Sequence, residues 1–203
     1  MWEIKLSALL YNPGTIFGTV FECIGEAPML IPVVFFAFIF GGIIVKNQRI
    51  IARKRELLLF SCYLFCVVIL SATAVATIKF LWERTRFCDL TPPLYEGYTP
   101  FYAFGNGGNS FPSGHASMSA ISFLLCDIND KFPTFSKRTP TIFAWLFTLL
   151  VCLSRLLEGA HFLTDLIAGV LITFLSKFAL KRLFEKFAYL RKTTRKKIWK
   201  TSS

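Results

Sequence analysis

At 203 residues the chain is long enough for one domain. It is 54% hydrophobic with a mean hydropathy of +0.55, which excludes an ordinary soluble protein of this size and indicates a membrane protein with several spans. The net charge of +11 does not make it a nucleic-acid binder. Lys and Arg cluster at 46–55, 131–138 and 177–200, always just beyond an apolar run, which is the pattern of positive-inside topology and suits anionic lipid headgroups.

Residues 1–26 show no basic start followed by a clean apolar stretch and cleavage site, so no secretory signal peptide is expected. Leu6–Gly25 is moderately apolar but interrupted by Asn12-Pro13-Gly14. It reads as an interfacial amphipathic helix or a broken sixth span, with the interfacial reading preferred. Apolar runs then predict spans over 27–45, 57–81, 140–157 and 161–180, and a shorter one over 113–127. The short segment carries Ser117, Ser119 and Ser122, and needs burial among its neighbours or a locally thin bilayer. The expected fold is therefore all-α: one domain over 1–203, a bundle of five or six transmembrane helices with an interfacial N-terminal segment.

The basic clusters orient the bundle. The links 46–56 and 127–139 and the tail after 177 belong in the cytoplasm, so 82–112 and 157–161 face the other side. Eighteen of the 23 Lys and Arg lie in the cytoplasmic clusters; the others are Lys5, Lys79, Arg84, Arg86 and Arg155. The outward loop is rich in Pro, Gly and aromatics. Tyr95, Tyr98, Phe101, Tyr102 and Phe104 suit the membrane–water interface, with one or two free to line a lipid groove, and 105–109 (Gly-Asn-Gly-Gly-Asn) is flexible. The basic tail 181–203 is expected on the cytoplasmic surface without a catalytic role. The six cysteines form no C-x-x-C pair and read as small buried hydrophobes rather than disulfide or metal ligands.

The chain has two histidines, and both sit in phosphate-handling patterns. His115 closes Pro112-Ser113-Gly114-His115. His161 lies in Ser154-Arg155-x5-His161-x3-Asp165, and Lys79-x6-Arg86 adds two cations upstream. On the predicted topology all three patterns fall at span ends on the outward side. Lys79, Arg86 and Arg155 would neutralise a phosphate ester, the arginines binding two oxygens at once. Ser113 offers a hydroxyl, and Gly114 lets a backbone N–H approach an anion at a helix start. Asp165, four residues after His161, shares its helix face and would hold one ring nitrogen as N–H, leaving the other to attack phosphorus. His115 would protonate the departing alkoxide and then activate water against the phosphohistidine. No metal or other cofactor is needed.

These patterns resemble the motifs of the type-2 phosphatidic acid phosphatase (PAP2) superfamily, in which they read Lys-x6-Arg-Pro, Pro-Ser-Gly-His and Ser-Arg-x5-His-x3-Asp. The resemblance covers roughly Lys79 to Asp165. The second and third motifs match without change; in the first, Phe87 stands where the family has proline. The resemblance implies a six-span bundle and a metal-independent lipid phosphatase with no cofactor, its catalytic residues His161, His115 and Asp165. It implies Lys79, Arg86, Ser113, Gly114 and Arg155 as phosphate ligands. Soluble vanadium haloperoxidases share the motifs, but these apolar spans favour a lipid. More narrowly, Trp82-x-Arg84-x-Arg86-x-x-Asp89 followed by Tyr98-Thr99-Pro100-Phe101-Tyr102-x-Phe104-Gly105 resembles the loop of bacterial lipid A phosphatases. That likeness adds Arg84 as a weaker phosphate ligand. It implies lipid A at the periplasmic face of a bacterial inner membrane. Phosphatidylglycerophosphate or undecaprenyl diphosphate as substrate, and phosphotransfer to a second lipid, remain alternatives. A lipid transporter would carry its charges at the midplane instead.

Overall fold

The computed structural model describes residues 2–92, 96–104 and 107–201, with side chains as far as Phe187. Eight α-helices follow in order: α1 (Trp2–Leu10), α2 (Ile16–Gly25), α3 (Ile31–Ile44), α4 (Gln48–Trp82), α5 (Gly114–Ala120), α6 (Leu124–Lys131), α7 (Arg138–Leu157) and α8 (Leu163–Thr201). Among the described residues, extended pairing is limited to one isolated bridge between Thr91 and Glu96. The expected Tyr95 anchor, Gly105 and Asn106 of the flexible loop and the end of the basic tail lie outside the described residues.

Four helical stretches are long and apolar enough to cross a bilayer: Ile16–Ile44, Gln48–Asp89, Arg138–Leu157 and Leu163–Phe187. The all-α, polytopic expectation is met, but the first span starts eleven residues earlier than the hydropathy of 27–45 suggests. Asn12-Pro13-Gly14 does not divide a span. It is a turn, with Gly14 at φ 73°, that separates α1 from α2. Thr15 then caps α2, its hydroxyl accepting from the Gly18 N–H at 2.9 Å. Pro28 does not end the span either, because proline is tolerated in a first turn; Ala27–Leu30 forms a 3₁₀ turn that joins α2 to α3.

The second span is longer than its apolar core. Asn47 accepts from the N–H groups of Arg49 and Ile50, so the basic run 49–55 is the first two turns of α4 rather than a loop. At the other end α8 runs on through the tail to Thr201, 39 residues or about 58 Å of helix.

The short segment predicted at 113–127 lies at the centre. It extends to Lys131 as α5, a 3₁₀ turn (Ile121–Phe123) and α6, and residues 116–124 are all buried. This is why it needs no lipid-facing apolar length of its own: α4, α7 and α8 wrap it. Met118, Ile121 and Leu124 join Phe35, Ile39, Leu57, Leu64 and Val67 in the main core. The outer faces of the spans remain apolar and bare, with Phe38, Phe40, Ile69, Phe143, Leu149, Leu171 and Phe178 all exposed. Such surface belongs against lipid rather than water. Cys23 and Cys62 lie on such faces, and with Cys88 they are exposed rather than buried as expected; all six cysteines are free.

The end of the bundle beside the basic clusters is closed by a buried acid. Asp127 accepts from the Tyr63 hydroxyl at 2.8 Å and from Lys181 at 2.8 Å, and pairs with Lys177 at 3.2 Å. One carboxylate thus ties α4, α6 and α8 and leaves the polar work of the opposite end to other residues.

Candidate active site

The C-terminal ends of α4 and α7 and the N-terminal ends of α5 and α8 meet at one end of the bundle. Lys79, in the last turn of α4, donates to the Asn109 carbonyl at 3.0 Å, just ahead of the Pro-Ser-Gly-His turn. That turn is clamped onto the start of α8: the Ser113 N–H donates to the Asp165 carbonyl at 2.9 Å. A side chain at Gly169 would strike the Ser113 carbonyl, so only glycine lets α8 approach this closely. Ser113 is itself buried and caps α5, its hydroxyl accepting from the Ala116 N–H at 3.3 Å. Gly114 is different. A Cβ there would meet nothing within 4 Å, so open space adjoins its backbone.

His161 sits in the loop before α8, two residues ahead of the helix, and is 3% exposed. Its Nδ1 lies 2.8 Å from the Ser110 carbonyl oxygen. A carbonyl can only accept, so the neutral ring carries its proton on Nδ1 and keeps the lone pair on Nε2. Asp165 was expected to be that partner. Its Oδ2 is instead 3.8 Å from Nδ1, too long for a hydrogen bond. The carboxylate acts one step back: Oδ2 accepts from the Ser110 hydroxyl at 2.5 Å and from the Phe162 N–H at 2.9 Å. Asp165 therefore fixes Ser110 and caps α8, and Ser110 fixes the imidazole. Burial pushes His161 below the usual histidine pKa; Asp165 opposes this, while the charges of Lys79 and Arg86 add to it.

Arg84 and Arg86 part company. Glu83 ends α4 in the left-handed conformation at φ 49°, and 83–86 is irregular, so side chains two apart need not share an environment. Arg84 has no exposed surface at all. It donates to Asp165 Oδ1 at 2.5 Å, Glu3 Oε2 at 2.8 Å, Thr164 Oγ1 at 2.8 Å and the Thr99 carbonyl at 2.8 Å, and stacks 4.2 Å over the Phe162 ring. Four of its five N–H donors are spent inside the protein, so it is placed as a support for Asp165 rather than as a phosphate ligand. Arg86 is partly exposed, and its side chain has no hydrogen-bond or ion-pair partner among the described residues.

His115 and Arg155 form the other flank. The Lys79 charge acts on both imidazoles, opposing protonation of each. Arg155 is buried, donates to the Gly18 carbonyl at 3.1 Å and pairs with Glu22 at 2.9 Å. His115 Nε2 is 3.8 Å from Glu26 Oε1. The sequence motifs omit Ser110, Glu3, Glu22 and Glu26. Glu22 and Glu26 carried a signal, as ionisable residues in an apolar stretch. Ser110 carried none, because a lone loop serine has no spacing that ties it to His161 or Asp165, 51 and 55 residues away.

The family model of the PAP2 superfamily matches residues 59–189, well over half of the chain. No curated protein matches the sequence. Among solved structures, the chain is similar to a transmembrane PAP2 type phosphatidylglycerolphosphate phosphatase from Bacillus subtilis, with 22% identity and a TM-score of 0.42 over 91% of this chain and 93% of that one. The stretch matched by the family model carries both histidines, Asp165, Lys79, Arg86 and Arg155. The chain belongs to the PAP2 superfamily.

Proposed function

We propose that the protein is an integral-membrane lipid phosphatase that cleaves a phosphate monoester on the extracytoplasmic side of a bacterial inner membrane. The observation that carries this reading is the hydrogen bond from His161 Nδ1 to the Ser110 carbonyl, which leaves the Nε2 lone pair free to act as a nucleophile. Lys79, Arg86 and Arg155 neutralise the phosphate oxygens, with the Ser113–Gly114 backbone alongside. His161 Nε2 attacks phosphorus, the ester P–O bond breaks, and the departing alkoxide takes a proton from His115. His115 then removes a proton from water as that water attacks the phosphohistidine, and inorganic phosphate leaves. Cationic side chains supply the charge that a metal supplies elsewhere. Among the described residues no cluster of three or more His, Cys, Asp or Glu is placed to hold an ion.

The basic cytoplasmic clusters support the orientation. The likeness of the 82–105 loop to lipid A phosphatases supports a lipid A phosphate as substrate, now without a phosphate contact from Arg84. The test is purified protein given lipid A, phosphatidylglycerophosphate, phosphatidate and undecaprenyl diphosphate, with and without chelator. The expected result is free phosphate, the highest kcat/KM on lipid A, and no loss on chelation. Loss on chelation would overturn the metal-independent mechanism, and label passing to an acceptor lipid would replace hydrolysis by transfer.

The lowered pKa of His161 also sets a pH dependence. The ring attacks only when neutral, so activity falls as pH drops through its pKa. The acid limb of kcat/KM is expected below about pH 6.5, the unperturbed value. Arg86 contributes to the lowering, so Arg86→Gln moves that limb to higher pH as well as weakening turnover. A limb that moved to lower pH in this variant would remove His161 as the titrating nucleophile.

A further inference from the structure

Two carboxylates stand beside the site, and the motifs do not account for them. Glu22 and Glu26 are four residues apart on the inner face of α2 and its end, outside the stretch matched by the family model. Glu22 Oε1 lies 2.9 Å from Arg155 Nη1, and Glu26 Oε1 lies 3.8 Å from His115 Nε2. Their side chains are 53% and 51% exposed, whereas that of Arg155 is 3% exposed. The acids are therefore the more exposed partners of the two pairs, His115 being 24% exposed. Their position is held: Arg155 donates to the Gly18 carbonyl, and Gly25 packs so tightly that a Cβ there would lie 3.1 Å from Val151 and 3.4 Å from His115.

The reading of His115 as the group that meets the departing oxygen fixes what lies next to these acids. The part of the substrate beyond that oxygen must pass by Glu26 and Glu22. We infer that Glu22 and Glu26 are specificity-determining residues for the leaving group, selecting phosphate monoesters, which release an alkoxide, over diphosphates.

Two effects act in the same direction. A diphosphate releases a phosphate-terminated leaving group, whose negative charge would face two carboxylates. The second effect is on the proton. Burial and the Arg155 cation resist protonation of His115, and Glu26 and Glu22 favour it. An alkoxide is a poor leaving group that needs that proton, whereas a phosphate leaves without it.

The inference rests on the phosphatase reading above, and a matched pair of substrates separates the two. Dodecyl phosphate and dodecyl diphosphate differ only in the leaving group at the attacked phosphorus. The wild type is expected to prefer the monophosphate in kcat/KM. Because Glu26 is half exposed, Glu26→Gln should lower the monophosphate value about fivefold and raise the diphosphate value about fivefold. Glu22→Gln should raise the diphosphate value, and Glu26→Asp should keep the wild-type preference. A folded Glu26→Gln protein with an unchanged preference, or a wild type that prefers the diphosphate, would overturn the inference while the phosphatase reading stands. A wild type that releases phosphate from neither compound, nor from any lipid in the panel, would take both down.

Discussion

His161→Asn is expected to abolish phosphate release, by roughly four orders of magnitude or more, while the protein still inserts and folds. Asparagine is the informative replacement. Its side-chain amide can donate to the Ser110 carbonyl as the ring does, so the buried acceptor keeps a partner. His161→Ala would leave that carbonyl unpaired, at a cost of about 1–3 kcal/mol, and would confuse lost chemistry with lost stability. Rapid quenching of the wild type with labelled substrate should trap label on the protein, and His161→Asn should trap none. His115→Asn gives the complementary pattern. It should be severe with an alkyl ester and mild with a nitrophenyl ester, whose leaving group needs no proton. Near-normal turnover by a folded His161→Asn protein would end the case for covalent catalysis at this residue.

The sequence makes the chemistry of this site easier to see than its supports, and the reason is physical. Lys79, His115, Arg155 and His161 are legible because short-range spacing ties each to its motif and hydropathy puts each at a span end. The central segment is legible in part: an apolar run over 113–127 too short to span and rich in serines calls for burial among helices or a thin bilayer, and the fold chooses burial and extends it to Lys131. Glu3 is not legible. It meets Arg84 across 81 residues of sequence, and local periodicity carries no information about a contact of that range. Arg84 looks like Arg86 in sequence, two cations in one loop, and only the fold reveals that one is enclosed by acids. The start of the first span is obscured for another reason. Asn12-Pro13-Gly14 reads as an interruption within Leu6–Gly25, but it is a turn between two helices, and α2 then runs on through the proline of a 3₁₀ first turn into α3.

Arg84→Met should be the most destabilising single substitution at this end of the protein. The guanidinium is wholly buried between Glu3, 2% exposed, and Asp165, 0% exposed. Methionine fills part of the volume but leaves both carboxylates enclosed without a counter-charge. Breaking a buried pair in this way costs about 3–5 kcal/mol, a large share of the roughly 5–15 kcal/mol that holds a domain together. The expected fall in the unfolding midpoint is on the order of 10 °C. Activity should fall as well, because Asp165 would be free to leave Ser110, and Ser110 holds the nucleophile in its reactive tautomer. Adding Glu3→Gln to Arg84→Met removes one of the two stranded charges, and should recover part of the midpoint before it recovers turnover. Lysine at 84 keeps the charge but not the fork, and cannot reach Glu3, Thr99 and Asp165 together, so it should fall between the wild type and methionine. A phosphate ligand would behave otherwise: its loss would raise KM and leave the midpoint alone. An Arg84→Met protein that melts like the wild type and fails only in substrate affinity would return Arg84 to the substrate and break the chain of support from Glu3 to His161.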